Sequence, residues 1–288
     1  MAYIDELLAE HPPAVLYHYT SQKGLLGMIK TRSLWASNIH YMNDYREFYE
    51  ALRVARSAIK GTSLRTTDPI ISNLLSKMPD RLQRTTGIHI YVFCFSASRD
   101  ALSQWRAYCP SGSGFSVGFS YDTEMASLVE SYGFRLIRCI YDPKGQNRLM
   151  QELVDDICAQ YSNAVGAGTS KSIEELEREH LDEFARRFVE QAAFIKHRGF
   201  IEEDEWRLVS THKTCTDGHS DVREGKSTLV PYYALPITKP GEQLSLQEVV
   251  IGPTPHMDLA IDAIEFLICS GRLECADVTP SRTPYQSW

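Results

Sequence analysis

The 288-residue sequence has no CxxC pair, and its seven cysteines (Cys94, Cys109, Cys139, Cys158, Cys215, Cys269 and Cys275) are an odd number without the spacing of a disulfide framework or structural zinc site. They read as buried, reduced thiols, and no metal site is expected. No apolar run reaches the roughly 20 residues of a membrane-spanning helix, and the N-terminal stretch is acidic where a signal peptide is basic. The expected location is the cytoplasm. There is also no Walker loop, no GxGxxG, no HExxH and no GxSxG, which removes many common enzyme classes. With 43% hydrophobic and 23% charged residues, disorder, collagen and coiled coil are excluded too.

What remains is an ordinary globular composition with an uneven charge. The first 110 residues hold 13 Lys+Arg against 9 Asp+Glu, or +4; the rest hold 17 against 28, or −11. Anionic ligands should therefore find their basic contacts mainly in the N-terminal part. Strands are predicted at 14–19, 33–37, 88–95, 114–119, 134–141, 205–210, 228–235 and 246–251, the run IHIYVFCF being the sheet centre. Helices are predicted from Ser21 to about Lys30, from Asp44 through Ile59, and from Met257 to about Ser270. Leu149, Leu153 and Ile157, then Leu176, Leu181, Phe184 and Phe188, mark two more, the second opened by a Ser172/Glu175 capping box. The fold class is α+β, one domain over 1–288 with a mixed sheet and a two-helix insertion at 147–195.

Three segments carry candidate chemistry. His18-Tyr19-Thr20 ends a strand, where polar side chains can project into a cleft; read alone, His18 is a half-buried histidine satisfied by the backbone. Ser37 and Tyr41-Met42-Asn43-Asp44-Tyr45-Arg46-Glu47 follow the next strand, and Asp44 with Glu47 equally fits a helix cap. In Lys196-His197-Arg198-Gly199-Phe200-Ile201-Glu202-Glu203-Asp204-Glu205-Trp206-Arg207, Glu203 and Glu205 lie two apart. An extended segment points both carboxylates one way, which suits stabilising positive charge at a sugar carbon, with Arg207 beside them to hold one ionised or grip an anion. The turn Ser111-Gly112-Ser113-Gly114 lacks a phosphate-binding lysine and reads as a plain turn.

Taken together, LYHYTS, LWASNIHYMNDYRE, FCFS followed by LSQWRAY, and FIKHRGFIEEDEWR resemble a bacterial family, domain of unknown function 2971, over about residues 14 to 285. Such domains are similar in turn to the ADP-ribosyltransferase fold, in which a split sheet clamps NAD. The resemblance implies that His18 binds a ribose with Tyr19 and Thr20 beside it, and that Ser37 or Tyr41 supplies the second element. It implies Glu205 as the glutamate facing the reacting carbon and Glu203 as the partner used for the acceptor. Arg46 or Lys196 is expected to meet the pyrophosphate, with Asn43 and Arg207 at the same site. Ser96, Trp105 and Tyr108 are characteristic of the family without an assignable role, Trp105 and Tyr108 reading as core. The expectation is an NAD-dependent ADP-ribosyltransferase-like enzyme or NAD glycohydrolase in a toxin or antiviral-defence setting, its acceptor being protein, nucleic acid or water. The alternatives are a non-catalytic nucleotide-binding or protein-interaction module and, last, a glycoside or nucleoside hydrolase using Glu203 and Glu205.

Overall fold

Pro12-Pro13 ends the N-terminal segment, and the β-branched and aromatic run after it forms β1 (Val15–Thr20). The computed structural model describes residues 3–42, 45–109, 114–168, 170–225, 227–239 and 241–284 and, for residues 45–47, the backbone alone. A short helix, α1 (Tyr3–Leu8), precedes β1. Helix α2 (Gln22–Thr31) follows directly, because the Ser21 hydroxyl accepts the Gly24 N–H at its start. It stops at Arg32, which is left-handed (φ 52°) and leads into β2 (Ser33–Asn38). Then come α3 (Tyr45–Arg65), α4 (Pro69–Leu82), β3 (Tyr91–Ser96), α5 (Leu102–Tyr108), β4 (Phe115–Ser120), α6 (Thr123–Ser131) and β5 (Phe134–Arg138). The second half holds α7 (Pro143–Gly166), α8 (Ile173–Ala192), β6 (Glu205–Ser210), β7 (Ser220–Glu224), β8 (Leu229–Pro236), β9 (Ser245–Leu246), β10 (Glu248–Ile251), α9 (Met257–Cys269), β11 (Glu274–Cys275) and β12 (Val278–Pro280).

Among the described residues, ten strands make one mixed sheet in the order β12-β10-β4-β1-β3-β2-β8-β7, with β6 also on β3 and β5 on β6. All pairs are antiparallel except β10 with β12; β9 and β11 form a separate parallel pair. The pairing register shows a branch. Along β3, Val92 to Ser96 pair with Val209 to Glu205 of β6, which occupies one edge. The other edge is shared: Tyr91 and Val92 pair with Asn38 and Ser37 of β2, whereas Ser96 pairs with Tyr17 of β1. β1 and β2 thus part company along β3, and Cys94 faces the gap between them.

Helices cover both faces of the sheet. On one, α3, α4, α7 and α8 bury a joint core with Val92, Ile137 and Val209. The other face packs Phe93, Phe95 and Phe119 with residues of α2, α6 and α9. The helices α7 and α8, expected as an insertion, share that first core with α3 and α4 and are half of a layer. Their Leu149, Leu153, Ile157, Phe184 and Phe188 are buried, and the capping box of Ser172 and Glu175 is formed in both directions. Two expectations need correction. Helix α4 falls in a stretch without an assigned element, although Asp68 caps it and Pro69 starts it. The thiols are free, but Cys215 and Cys269 are exposed, being carried on surface segments with no core to enter. Among the described residues, no helix is long and apolar enough to cross a membrane.

Candidate active site at the branch of the sheet

The gap beside Cys94 leaves a β3 carbonyl without a strand partner, and a buried carbonyl requires a donor. His18 supplies it: Nδ1 lies 2.8 Å from the Cys94 oxygen. Since a carbonyl only accepts, Nδ1 carries the proton and Nε2 is the acceptor nitrogen. The ring packs on Phe93 at 4.2 Å between centroids. Burial pulls the His18 pKa down to about 4 against the smaller upward pull of the Cys94 bond, so the ring is neutral at physiological pH.

On β6, Glu205 and Arg207 alternate with Trp206 and face the same way, opposite Ser96 and Cys94. Arg207 donates from Nε to Glu205 Oε1 at 2.9 Å and from Nη2 to Oε2 at 3.0 Å, while Nη1 reaches the Ala193 carbonyl at 2.9 Å. Lys196 pairs with Glu205 and, at 2.6 Å, with Glu203. Among the described residues, two cations and two carboxylates are thereby paired inside the protein, their side chains no more than 10% exposed. Burial alone would raise the pKa of Glu205; the charges of Arg207 and Lys196, with hydrogen bonds from Arg207 and the Cys94 thiol, outweigh it and bring it to about 2. The backbone route to this arrangement differs from the extended segment expected. Glu203 ends a 3-10 turn (Arg198–Glu203) and Asp204 is left-handed at φ 38°. That reversal, and not strand alternation, turns Glu203 back toward Lys196.

A cavity of about 40 Å³ lies here, lined by Tyr17, His18 and Tyr19 of β1, Cys94, Phe95 and Ser96 of β3, Gln104 and Tyr108 of α5, and Glu203 and Glu205. Helix α5 is held over it by Trp105, whose indole donates to Asp100 at 2.6 Å and meets the Tyr19 ring edge-on at 4.8 Å. Trp105 is seated against Gly252, where a Cβ would come within 2.8 Å of the indole. The Ser96 hydroxyl donates to the Glu203 carbonyl at 2.6 Å and accepts the Ser98 N–H, tying β3 to the 3-10 turn. The Tyr108 hydroxyl is raised in pKa by burial and then by Glu203, although its ring is 39% exposed and is not core.

The structure brings His18, Tyr19, Glu203 and Glu205 to one cavity and joins Lys196 and Arg207 to the glutamates. Other candidates lie elsewhere. Thr20 is not on the lining; its carbonyl accepts the Cys109 thiol. Ser37 accepts from Arg223 at 2.9 Å, and Tyr41 is 44% exposed at the end of a 3-10 turn. Lys196, expected at a pyrophosphate, is committed to Glu203 and Glu205 inside the protein. Asn43 and the side chain of Arg46 lie outside the described residues, as do Asp44 and residues 111–113. Gln104 was missed altogether; its signal is the helical spacing of four to Tyr108, which puts both on one face.

A second, far larger hollow of about 610 Å³ opens beside α8, lined by Arg135, Glu183, Arg186, Arg187, Glu190 and Gln191 among others. Its arginines are engaged: Arg135 with Glu190, Arg186 with Glu183, Arg187 with Asp156. Size favours this groove and chemistry favours the branch, and the branch is the better candidate because it alone combines strongly shifted titratable groups with a converging set of polar side chains. Among the described residues, no group of three or more His, Cys, Asp or Glu side chains is arranged to hold a metal ion.

The sequence profile of a family described as "Protein of unknown function (DUF2971)" matches residues 104–208. The matched span runs from Gln104 through Leu208 and so contains Tyr108, Lys196, Glu203, Glu205 and Arg207, while His18 lies before it. No curated protein and no solved structure matches the chain.

Proposed function

We propose that the protein acts on NAD or a related nucleotide as an ADP-ribosyltransferase-like enzyme or NAD glycohydrolase, with the branch cavity receiving the pyridine end of the substrate. The observation that supports this reading is that His18 and Glu205, far apart in sequence, line one cavity, the first neutral with Nε2 available as an acceptor and the second ionised. In the reaction the bond between ribose C1′ and the pyridinium nitrogen breaks, and its electron pair neutralises the leaving pyridine. The carbon left behind is oxocarbenium-like, and the Glu205 carboxylate opposes its charge while His18 accepts a ribose hydroxyl. The acceptor, whether water, protein or nucleic acid, adds to C1′ and loses a proton. A toxin or antiviral-defence setting is the role that the resemblance suggests.

A cavity of about 40 Å³ admits one small group, so a dinucleotide requires α5 and the 198–203 turn to move apart. The same observation, with the charge of Glu205 already matched by Lys196 and Arg207, favours a second reading: a nucleotide-binding module without catalysis. The two separate when the melting temperature and released nicotinamide are measured with NAD and related nucleotides. Ligand at 100 times its Kd stabilises the native state by about 2.7 kcal/mol. A raised melting temperature with nicotinamide release is the expected result; stabilisation without release selects the binding module, and neither effect removes both readings.

A further inference from the structure

The polar walls of the branch cavity are not equally occupied. Tyr19 donates to the Ser98 carbonyl and accepts the Ala101 N–H, each at 2.8 Å, and Tyr17 bonds Glu248. Ser96 has both partners described above, His18 holds Cys94, and the Cys94 thiol is turned to Glu205. Gln104 differs. It is buried, 5% exposed, lines the cavity, and among the described residues its carboxamide makes no hydrogen bond. Its amide oxygen and nitrogen are not sealed off from solvent, so the carboxamide is open to whatever enters the cavity.

We propose that the Gln104 carboxamide reads the carboxamide of the pyridine leaving group, a specificity role that rests on the NAD reading above. A primary amide offers an oxygen and two N–H donors, and another primary amide satisfies both kinds at once, through two antiparallel N–H···O bonds. The space is of the right order, since one water needs about 10–15 Å³ of such room and the cavity offers about 40 Å³, enough for one small polar group. Three tyrosines, Tyr17, Tyr19 and Tyr108, also line it, and a pyridinium ring is attracted to aromatic faces. The helix places Gln104 and Tyr108 one turn apart on the cavity side while Trp105, fully buried, faces its own cluster with Tyr19 and Val250. α5 therefore carries both its anchor and its reading group.

The test compares NAD with 3-acetylpyridine adenine dinucleotide, in which a methyl ketone replaces the amide, in wild type and Gln104→Leu, by equilibrium titration and melting temperature. Wild type is expected to prefer NAD by about tenfold or more, because the ketone leaves an amide hydrogen bond unmade. Gln104→Leu should bring that ratio close to one while melting no lower than wild type, since an apolar group of similar size replaces an unpartnered amide. A purely structural role would lower the melting temperature and leave the ratio unchanged, and that result overturns the inference. Wild type that binds NAD but does not distinguish the analogue also overturns it, and leaves the NAD reading standing. Wild type that binds neither dinucleotide nor free nicotinamide overturns both.

Discussion

The two hollows of this molecule differ by more than tenfold in volume and in the opposite sense in chemistry. The groove beside α8 is large, open and lined by arginines that already have carboxylate partners. The cavity at the branch is small, yet around it stand a neutral histidine, an ionised buried glutamate and an amide that makes no hydrogen bond among the described residues. Volume reports where a fold closes poorly; chemistry reports where charges and polar groups are held against their ordinary preferences, which is what catalysis and recognition require.

If the branch is as tightly coupled as its ion pairs indicate, the largest effect belongs to Glu205→Gln. Removing this carboxylate takes from Arg207 and Lys196 a buried partner that both share, at a cost of about 3–5 kcal/mol in urea denaturation. The double variant Glu205→Gln/Lys196→Met should recover part of this, because the surplus charge goes with the lysine. Additive losses would contradict the coupling. Activity lost in Glu205→Gln alone would therefore mix chemistry with folding, and has to be read beside the denaturation data.

The next effect is acid destabilisation with two distinct origins. Glu205 titrates near 2 in the folded chain against 4.5 ordinarily, so its stabilisation is complete above about pH 4.5 and is lost as pH falls toward about 2, on the order of 3 kcal/mol in all. His18 is also lowered, from 6.5 to about 4, and the unfolded chain binds its proton first. Stability therefore begins to fall below about pH 6.5, and the His18 contribution is exhausted near pH 4. His18→Asn, which keeps a donor for the Cys94 carbonyl, should flatten the upper leg and leave the lower one. A single acid transition unchanged in that variant would show that His18 is not held neutral.

The smallest effect is expected in the groove. Arg186 is 37% exposed and pairs with Glu183 three residues earlier on the same helix. Arg186→Ala should stay within about 1 kcal/mol of wild type and leave nucleotide affinity unchanged. A large loss of affinity would move the site from the branch to the groove.

How much of this was legible in sequence varies element by element. β1, β2, α2 and the Ser172 cap follow from local signals, namely prolines, periodicity and a capping hydroxyl, and lie within a few residues of where those signals put them, while α3 runs on past Ile59 to Arg65. α4 carries the spacing of Ile71, Leu74, Leu75, Met78 and Leu82, but Pro79 within it obscures a helix that tertiary burial sustains. The branch was not legible, because it depends on which edge of β3 each distant strand takes. The convergence of Glu203 and Glu205 rests on the left-handed Asp204, a conformation that no local pattern announces. Gln104 escaped for a related reason: an amide is conspicuous only once its surroundings are known to offer it nothing.

Backbone hydrogen exchange with and without NAD tests most directly that the branch is where ligand meets protein. The account predicts slower exchange in β1, in α5 and across the 198–203 turn, with residues 130–135 and 183–191 unaffected. Protection confined to those two groove segments, with α5 exchanging as before, would contradict it.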